Sequence, residues 1–162
     1  MHKIVKAVTV GSVGDLGRIA RALADNGYNI AAIGGGGGHA RGSEVGIISL
    51  AIEDDDADDG QIADVIRGVD LGGGRRLEAV EEHPALIVEL PNTPGQLAAV
   101  AEEIGSHDIN IMGVLLVDLH GATAHVGLGF DGPGARDDAK VALENAGFTV
   151  IEDHDHGGTI PS

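Results

Sequence analysis

The feature that most constrains this chain is an internal repeat. Residues of the same type recur 81 positions apart, so the pattern that starts at Gly14 starts again at Gly95. The matched positions are Gly14 and Gly95, Leu16 and Leu97, Ile19 and Val100, Leu23 and Ile104, Asn29 and Asn110, and Ile30 and Ile111. In a chain of 162 residues, this period is most simply interpreted as two copies of one folding unit.

The second copy predicts the element order β-α-β-β-α-β. Thr93, three residues before Gln96, is a capping-box signal that places Pro94 at the first helical position. His120-Gly121 lies between two β-rich runs and predicts a hairpin, and Gly147 is typical of a helix end. The expected elements are a strand over 85–90, a helix over 94–106, a hairpin over 110–119 and 122–130, a helix from Pro133 to Ala146, and a strand over 148–151.

The first copy follows the same order. Its expected elements are a strand over 3–10, a helix over 14–26, a hairpin over 29–52, a helix over 57–67 and a strand over 77–82. This order predicts an α+β fold of two ferredoxin-like units in tandem, each with an antiparallel sheet and both helices on one face. We expect units over 1–82 and 85–152, joined by the linker His83-Pro84 and followed by a disordered tail over 153–162.

Composition excludes several functional classes. The chain has no cysteine, so disulfides, thiolate metal sites and cysteine nucleophiles are absent. Its only aromatic residues are Tyr28, Phe130 and Phe148, and its net charge is −16, which together argue against nucleic-acid binding. No apolar run approaches the roughly 18 residues of a membrane span, so we expect a soluble, cytoplasmic protein without membrane partners.

The turn before the first helix of the second copy resembles that of ACT domains, the regulatory amino-acid-binding modules of biosynthetic enzymes. The residues that carry the resemblance are Asn92, Pro94-Gly95 and Leu97, followed by Asn110-Ile111. The resemblance covers both copies, and the second is similar to the serine-binding regulatory domain of phosphoglycerate dehydrogenase. It implies that Asn92 and Asn110 hydrogen-bond the ammonium and carboxylate of an effector across a domain interface.

The chemistry of these residues agrees with that implication. Backbone N–H groups at a helix start suit a carboxylate, and an asparagine amide both donates and accepts hydrogen bonds. The alternative is that Asn92 only starts the turn and Asn110 only tolerates an irregular strand entry. The effector-binding residues that the resemblance implies are Asn92, Thr93, Pro94, Gly95, Gln96, Leu97, Asn110 and Ile111.

The first copy departs from this pattern. Gly11 stands where the second copy has Asn92, and Val13 stands where it has Pro94. Such a copy either binds a second ligand weakly or serves only as a pairing surface. The residues of this possible second site are Ser12, Gly14, Asp15, Leu16, Asn29 and Ile30.

Two further stretches are more simply interpreted as structural than as functional. Residues Gly34 to Gly38 are expected to form a flexible hairpin tip, the alternative being a loop that folds over an effector with Arg41 meeting a carboxylate. Residues 152–156 supply carboxylates and imidazoles for a divalent metal, but a solvated tail is the expected structure. No serine lies in a Gly-x-Ser-x-Gly elbow, so we expect no catalytic site, metal or cofactor.

These observations favour a regulatory protein that binds a small amino acid and modulates a biosynthetic enzyme in trans. By resemblance, acetolactate synthase and homoserine dehydrogenase are candidate enzymes. The uniformly apolar run 112–117 predicts a homodimer, because a sheet with one solvated face alternates polar and apolar residues. The alternatives are an oligomerisation module with a decayed ligand site and a small ferredoxin-like enzyme.

The charge balance yields a first prediction. With 26 acidic and 10 basic residues, the folded chain repels itself in dilute buffer, as a protein adapted to a salt-rich cytosol does. At 1 M salt the Debye length falls to about 3 Å, which screens this repulsion. The melting temperature, measured by circular dichroism, should therefore rise steadily from dilute buffer to molar KCl. A flat or falling profile would contradict the halophilic interpretation.

Overall fold

The computed structural model describes residues 2–9, 14–40, 43–53, 60–77 and 79–151. These residues form seven strands and four helices. In chain order they are β1 His2–Thr9, α1 Asp15–Asp25, β2 Asn29–Ala40, β3 Ser43–Glu53, α2 Gln61–Arg67, β4 Ala79–Pro91, α3 Gln96–Ser106, β5 Gly113–His120, β6 Thr123–Gly129, α4 Pro133–Asn145 and β7 Thr149–Ile151.

Strand β4 belongs to both copies. Its residues 79–85 pair antiparallel with β1, residues 85–91 pair with β6, and residues 87–89 also pair with β7 on the opposite edge. The strands therefore form one antiparallel sheet in the order β2-β3-β1-β4-β6-β5, with β7 beside β4. The α+β fold of tandem ferredoxin-like units is confirmed, and the two sheets are continuous.

The residues predicted as a linker, His83-Pro84, lie inside β4. Proline has no N–H to donate to a ladder, so a strand accepts it where that donor is not needed. Pro84 lies where β1 still pairs on one edge and β6 has just ended on the other, and its carbonyl accepts a 2.9 Å hydrogen bond from the Phe130 N–H. The chain therefore passes from one copy to the other without leaving the sheet.

Each copy builds an aliphatic core between its two helices and the sheet. Val5 and Ala7 of β1 pack against α1 and α2, while Leu86 and Val88 of β4 pack with Phe130 against α3 and α4. Val80 of β4 belongs to the first core and Leu86 to the second. Because alternate side chains of one strand share a face, all four helices lie on the same side of the sheet.

The helix-free side of the sheet curls inward. A third apolar cluster forms there from Ile4, Ala32, Ala51, Ala85 and Leu115, and β5 contacts β2 and β3 across this side. Glycine makes this close approach possible. A Cβ on Gly129 would lie 3.2 Å from His83 Cβ and 3.4 Å from Ile4 Cβ.

The glycine-rich stretch is strand rather than a hairpin tip. Gly34 to Gly38 lie in β2 opposite Val45 to Ser49 of β3. A Cβ on Gly34 would lie 2.9 Å from Leu115 Cδ2, so the missing side chain leaves room for β5. The prediction of a flexible tip is wrong for these residues, and Arg41 lies outside the described residues.

Element boundaries otherwise follow the sequence within a few residues. Helix α3 begins at Gln96 rather than at Pro94, β5 begins at Gly113 rather than at Asn110, and β4 merges two predicted strands. The expected start of α2 near Ala57 and the tail over 153–162 lie outside the described residues. In the part of the chain that the structure describes, every helix is too short or too polar to cross a bilayer.

The packing of the helix-free side gives a second prediction. Gly129→Val should lower the free energy of unfolding by about 1–3 kcal/mol, because the new side chain meets the Cβ atoms of His83 and Ile4 and neither can move without its backbone. Urea unfolding measures the change. Gly36→Val is the matched control, since a Cβ on this strand glycine would have open space. Equal stability of both variants would contradict the close packing.

Candidate functional site

The turn that follows β4 carries most of the predicted effector residues. The Asn92 N–H donates to Ala122 O at 2.7 Å, and the Thr93 N–H donates to Pro91 O at 2.8 Å. Asn92, Thr93, Pro94 and Gly95 are all exposed. The backbone of the turn is thus fixed by the β5–β6 turn while its side chains remain accessible.

The helix start differs from the predicted capping box. The N-cap of α3 is Gly95, in the left-handed region with a φ of 89°, and no side chain caps the helix. Thr93 and Pro94 therefore belong to the turn. The first copy has the same arrangement, with Gly14 as the N-cap of α1 at a φ of 91°. A glycine before each matched leucine was the available signal, because glycine adopts this region without steric cost.

Asn110 lies at the other end of α3 from this turn. An eleven-residue helix rises about 16 Å, so Asn92 and Asn110 of one unit cannot hold the same small ligand. Asn110 is exposed, with its Nδ2 3.3 Å from Met112 Sδ, whereas Ile111 packs against the second core. The chain by itself does not bring the two predicted parts of the effector site together.

A surface cavity of about 420 Å³ lies beside the turn. Gln96 and Pro91 line one side of it, and Phe148 and Thr149 at the start of β7 line another. Neither Asn92 nor Asn110 is among its lining residues. Gln96 is therefore a predicted effector residue that lines a cavity.

In the first copy, the matched position of Gln96 is Asp15, and its role is structural. The side chain of Asp15 is only 4 % exposed, and its Oδ1 lies 3.2 Å from Arg75 Nη2 and 3.7 Å from Arg18 Nη1. Both arginines also donate to Leu71 O, at 2.6 Å from Arg75 and 3.0 Å from Arg18. This network ties the start of α1 to the segment after α2.

The other predicted residues of the first copy do not converge either. Asn29 is exposed at the start of β2, opposite Glu53, and lies at the far end of α1 from Gly14. Ile30 packs against the first core. Ser12 lies outside the described residues.

The two copies expose the same apolar positions. Leu16 and Leu97, each in the first turn of a helix, are 46 % and 47 % exposed. Ile33 and Val114, again 81 positions apart, are 52 % and 48 % exposed on the edge strands β2 and β5. Each copy thus exposes apolar side chains at these two matched positions, and of these four residues the sequence singled out only Val114 as part of an apolar run, residues 112–117.

Sequence reasoning missed a buried ion pair where the two copies meet. Lys3 Nζ lies 2.8 Å from Glu82 Oε1, and the side chains are 4 % and 8 % exposed. The two carboxylate oxygens of Glu82 also accept hydrogen bonds from the N–H groups of Gly60 and Ala63, at 3.1 and 3.0 Å. A lysine within a largely apolar strand was the available signal.

Glu81 lies on the opposite face of β4. Its Oε2 is 3.2 Å from both Lys6 Nζ and His83 Nε2. The hydrogen bond from Lys6, followed by that from His83, lowers the pKa of Glu81 below its ordinary value. Glu81 therefore stabilises the sheet at neutral pH, and this contribution is lost as the pH falls through its lowered pKa.

Within the described residues, no three histidine, aspartate or glutamate side chains meet in a metal-binding arrangement. The sequence 152–156, which offers such groups, lies outside those residues.

Neither a protein-family model nor a curated protein sequence matches this chain. Solved structures share its fold. Protein BT0572 from Bacteroides thetaiotaomicron superposes with a TM-score of 0.60 at 16 % identity, over 92 % of this chain and 90 % of that one. The ligand-free regulatory subunit of aspartate kinase from Thermus thermophilus gives 0.57 at 15 % identity, over 90 % and 92 %.

Aspartate kinase from Clostridium acetobutylicum gives a TM-score of 0.58 at 18 % identity, over 90 % of this chain but 32 % of that one. The match to a kinase is therefore to part of it, whereas the match to the Thermus regulatory subunit spans both chains. The likeness to these structures confirms the predicted fold.

The Asp15 network gives a third prediction. Asp15→Asn should lower the free energy of unfolding by about 1–2 kcal/mol, because it removes the charge that Arg75 and Arg18 face. Urea unfolding measures this loss. Asp25→Asn, at an exposed position of the same helix, is the matched control and should change little. An unchanged Asp15→Asn protein would argue for a role in binding rather than in folding.

Proposed function

We propose that this chain is a regulatory protein that binds a small amino-acid effector and modulates an amino-acid biosynthetic enzyme in trans. The observation that carries the proposal is the tandem fold itself, which matches the aspartate kinase regulatory subunit of Thermus thermophilus over 90 % of this chain and 92 % of that one. In this proposal the chain has no catalytic activity of its own and acts in the cytoplasm.

The effector site lies between two units. One unit provides the turn that includes Asn92, Gly95 and Gln96, and a unit of a second chain provides Asn110. The support for an interface is that Asn92 and Asn110 are exposed and lie at opposite ends of α3. When two units pack side by side in antiparallel orientation, the turn end of α3 in one unit lies next to the Asn110 end of α3 in the other.

The proposed contacts follow from the side chains present. N–H groups at the start of α3 attract the carboxylate of the effector, with about 0.3–1 kcal/mol from the helix dipole. The amide oxygens of Asn92 and Asn110 accept hydrogen bonds from its ammonium group, and their NH₂ groups donate to its carboxylate. Gly95, which has no side chain, leaves the backbone open to the ligand.

A homodimer is part of the proposal. Leu97 in α3 and Val114 and Leu116 in β5 are apolar side chains that are each about half exposed on an otherwise acidic chain. Leu16 and Ile33 are the matched residues of the first copy. An isologous dimer buries the same residues on both of its chains, which suits exposed apolar residues that occur in both copies.

The partner enzyme is proposed from resemblance. Acetolactate synthase and homoserine dehydrogenase remain candidates from the sequence, and the structural match adds aspartate kinase. The second candidate function is an oligomerisation module with a decayed ligand site. The buried Asp15 in the first copy favours this alternative for that copy alone, because a side chain engaged with Arg75 is not available to a ligand.

The proposal gives a fourth prediction. Each of the twenty amino acids is added singly at millimolar concentration while the melting temperature is followed. A ligand at about 100 times its dissociation constant stabilises the fold by about 2.7 kcal/mol, or about 5–10 °C for a chain of this size. One amino acid or a small related group should produce such a shift, and light scattering at micromolar concentration should give a dimer mass.

Variants separate the outcomes. Asn110→Ala and Asn92→Ala should each remove the shift that arises from binding at the turn and leave the unliganded melt nearly unchanged, because both side chains are exposed. Asn145→Ala, at an exposed position in α4, is the matched control and should keep the full shift. Absence of any shift would favour the oligomerisation module, and a monomer mass would remove the interface on which the site depends.

A further inference from the structure

A cleft of about 490 Å³ lies on the helix side of the sheet, above the middle of β4. One wall is α2 of the first copy, and the other is the corner between β6 and α4 of the second, with Met112 beside it. This volume is within the range of sites for small molecules. The cleft is separate from the effector turn, none of whose residues line it.

The floor of the cleft is charged, although it lies between two aliphatic cores. The buried ion pair of Lys3 and Glu82 lines it, and Glu82 is further held by the first turn of α2. Removing two charges from water is costly, and an apolar pair of similar size generally stabilises a fold as well or better. Packing alone therefore does not explain why a charged pair lies at the floor of the cleft.

The exposed edge of β4 adds a peptide donor and acceptor. Val80 O accepts a hydrogen bond from Arg67 Nη2 at 3.1 Å, and Pro84 O accepts one from the Phe130 N–H at 2.9 Å. Alternate residues of a strand point their N–H and C=O groups to the same edge. The N–H and C=O groups of Glu82 therefore point to this edge as well, and β6 does not cover them because its pairing with β4 ends at Ala85.

The two walls carry opposite charges. Arg67 on α2 is half exposed and lines the cleft, with its Nη1 2.8 Å from Asp64 Oδ1 and its Nη2 donating to Val80 O at 3.1 Å. Asp131 is exposed on the opposite wall, at the β6–α4 corner. A ligand that fits both walls has a carboxylate for Arg67 and an ammonium group for Asp131.

We propose that this cleft binds a small zwitterionic metabolite, of which a free amino acid is the simplest, between Arg67 and Asp131 over the Lys3–Glu82 floor. The ligand bridges the two copies on the helix side of their shared strand. This site does not depend on the effector site at the turn and requires no second chain.

The test is a set of amide ¹H–¹⁵N correlation spectra of the full chain, titrated with each of the twenty amino acids at millimolar concentration. For at least one amino acid, the signals of Gly60, Ala63 and Gly132, which border the cleft, should move in a saturable manner. Arg67→Gln and Asp131→Asn should each weaken this binding about tenfold or more, as expected for a charged hydrogen bond.

Matched variants serve as controls. Arg21→Gln and Asp138→Asn change exposed residues of the same types outside the cleft and should bind as the original chain does. Because Arg67 also bonds to β4, Arg67→Gln is judged together with its melting curve. If that variant unfolds, Asp131→Asn decides the result, since Asp131 is exposed at a corner.

The outcomes distinguish this site from the effector turn. Cleft signals that still move in Asn92→Ala and Asn110→Ala support the proposal. It is overturned if no amino acid moves the cleft signals, if only signals of the turn move, or if Asp131→Asn binds with unchanged affinity. Loss of the cleft response in Asn110→Ala would also overturn it, because the movement would then be a secondary effect of binding at the turn.

Discussion

The backbone ladder of β4 determines how the two copies are arranged. This strand is the last of one ferredoxin-like unit and the first of the next, and Ala85 at its middle pairs with His2 on one edge and Gly129 on the other. Two units on a flexible linker would be free to reorient, whereas a shared ladder sets their direction and facing at once. The single helix layer follows from it, because Val80 and Leu86 are an even number of residues apart and so face the same side.

The inward curl of the sheet is the second constraint, and it depends on small residues. The chain has 27 glycines and very few aromatic residues. Gly34, Gly113 and Gly129 stand where neighbouring side chains already fill the space, so β5 can approach β2 and β3. Bulkier residues at these sites would open the sheet and separate β5 from the rest of the third cluster. The high glycine content, which suggests loops, thus in part allows strands to pack closely.

The repeat and the apolar periodicity were enough to predict the element order and fold, because both follow from local patterns. What failed depends on contacts between distant parts of the chain. Gly34 suggested a loop by composition, but its position is explained by Leu115. Thr93 and Gln96 matched a capping box, yet a left-handed Gly95 starts the helix. The effector site stays a prediction: Asn92 and Asn110, expected to act across a domain interface, lie at opposite ends of α3. Lys3 and Glu82 were missed because nothing in their own neighbourhoods indicates that they meet.

The placement of β7 and β1 has a topological consequence. Both run antiparallel to β4 along the same edge, with Ile151 opposite Ile87 and His2 opposite Ala85, so they are separated by two residue positions of β4, about 7 Å. They are the two pieces of an interrupted strand whose direction leads from Ile151 toward His2. Joined by a short connector, they would form a counterpart of β4 and close the polypeptide into a ring with twofold pseudosymmetry. Such a ring can be opened at the β5–β6 turn instead, because the pairing of β4 with β1, β6 and β7 does not depend on where the ring is cut.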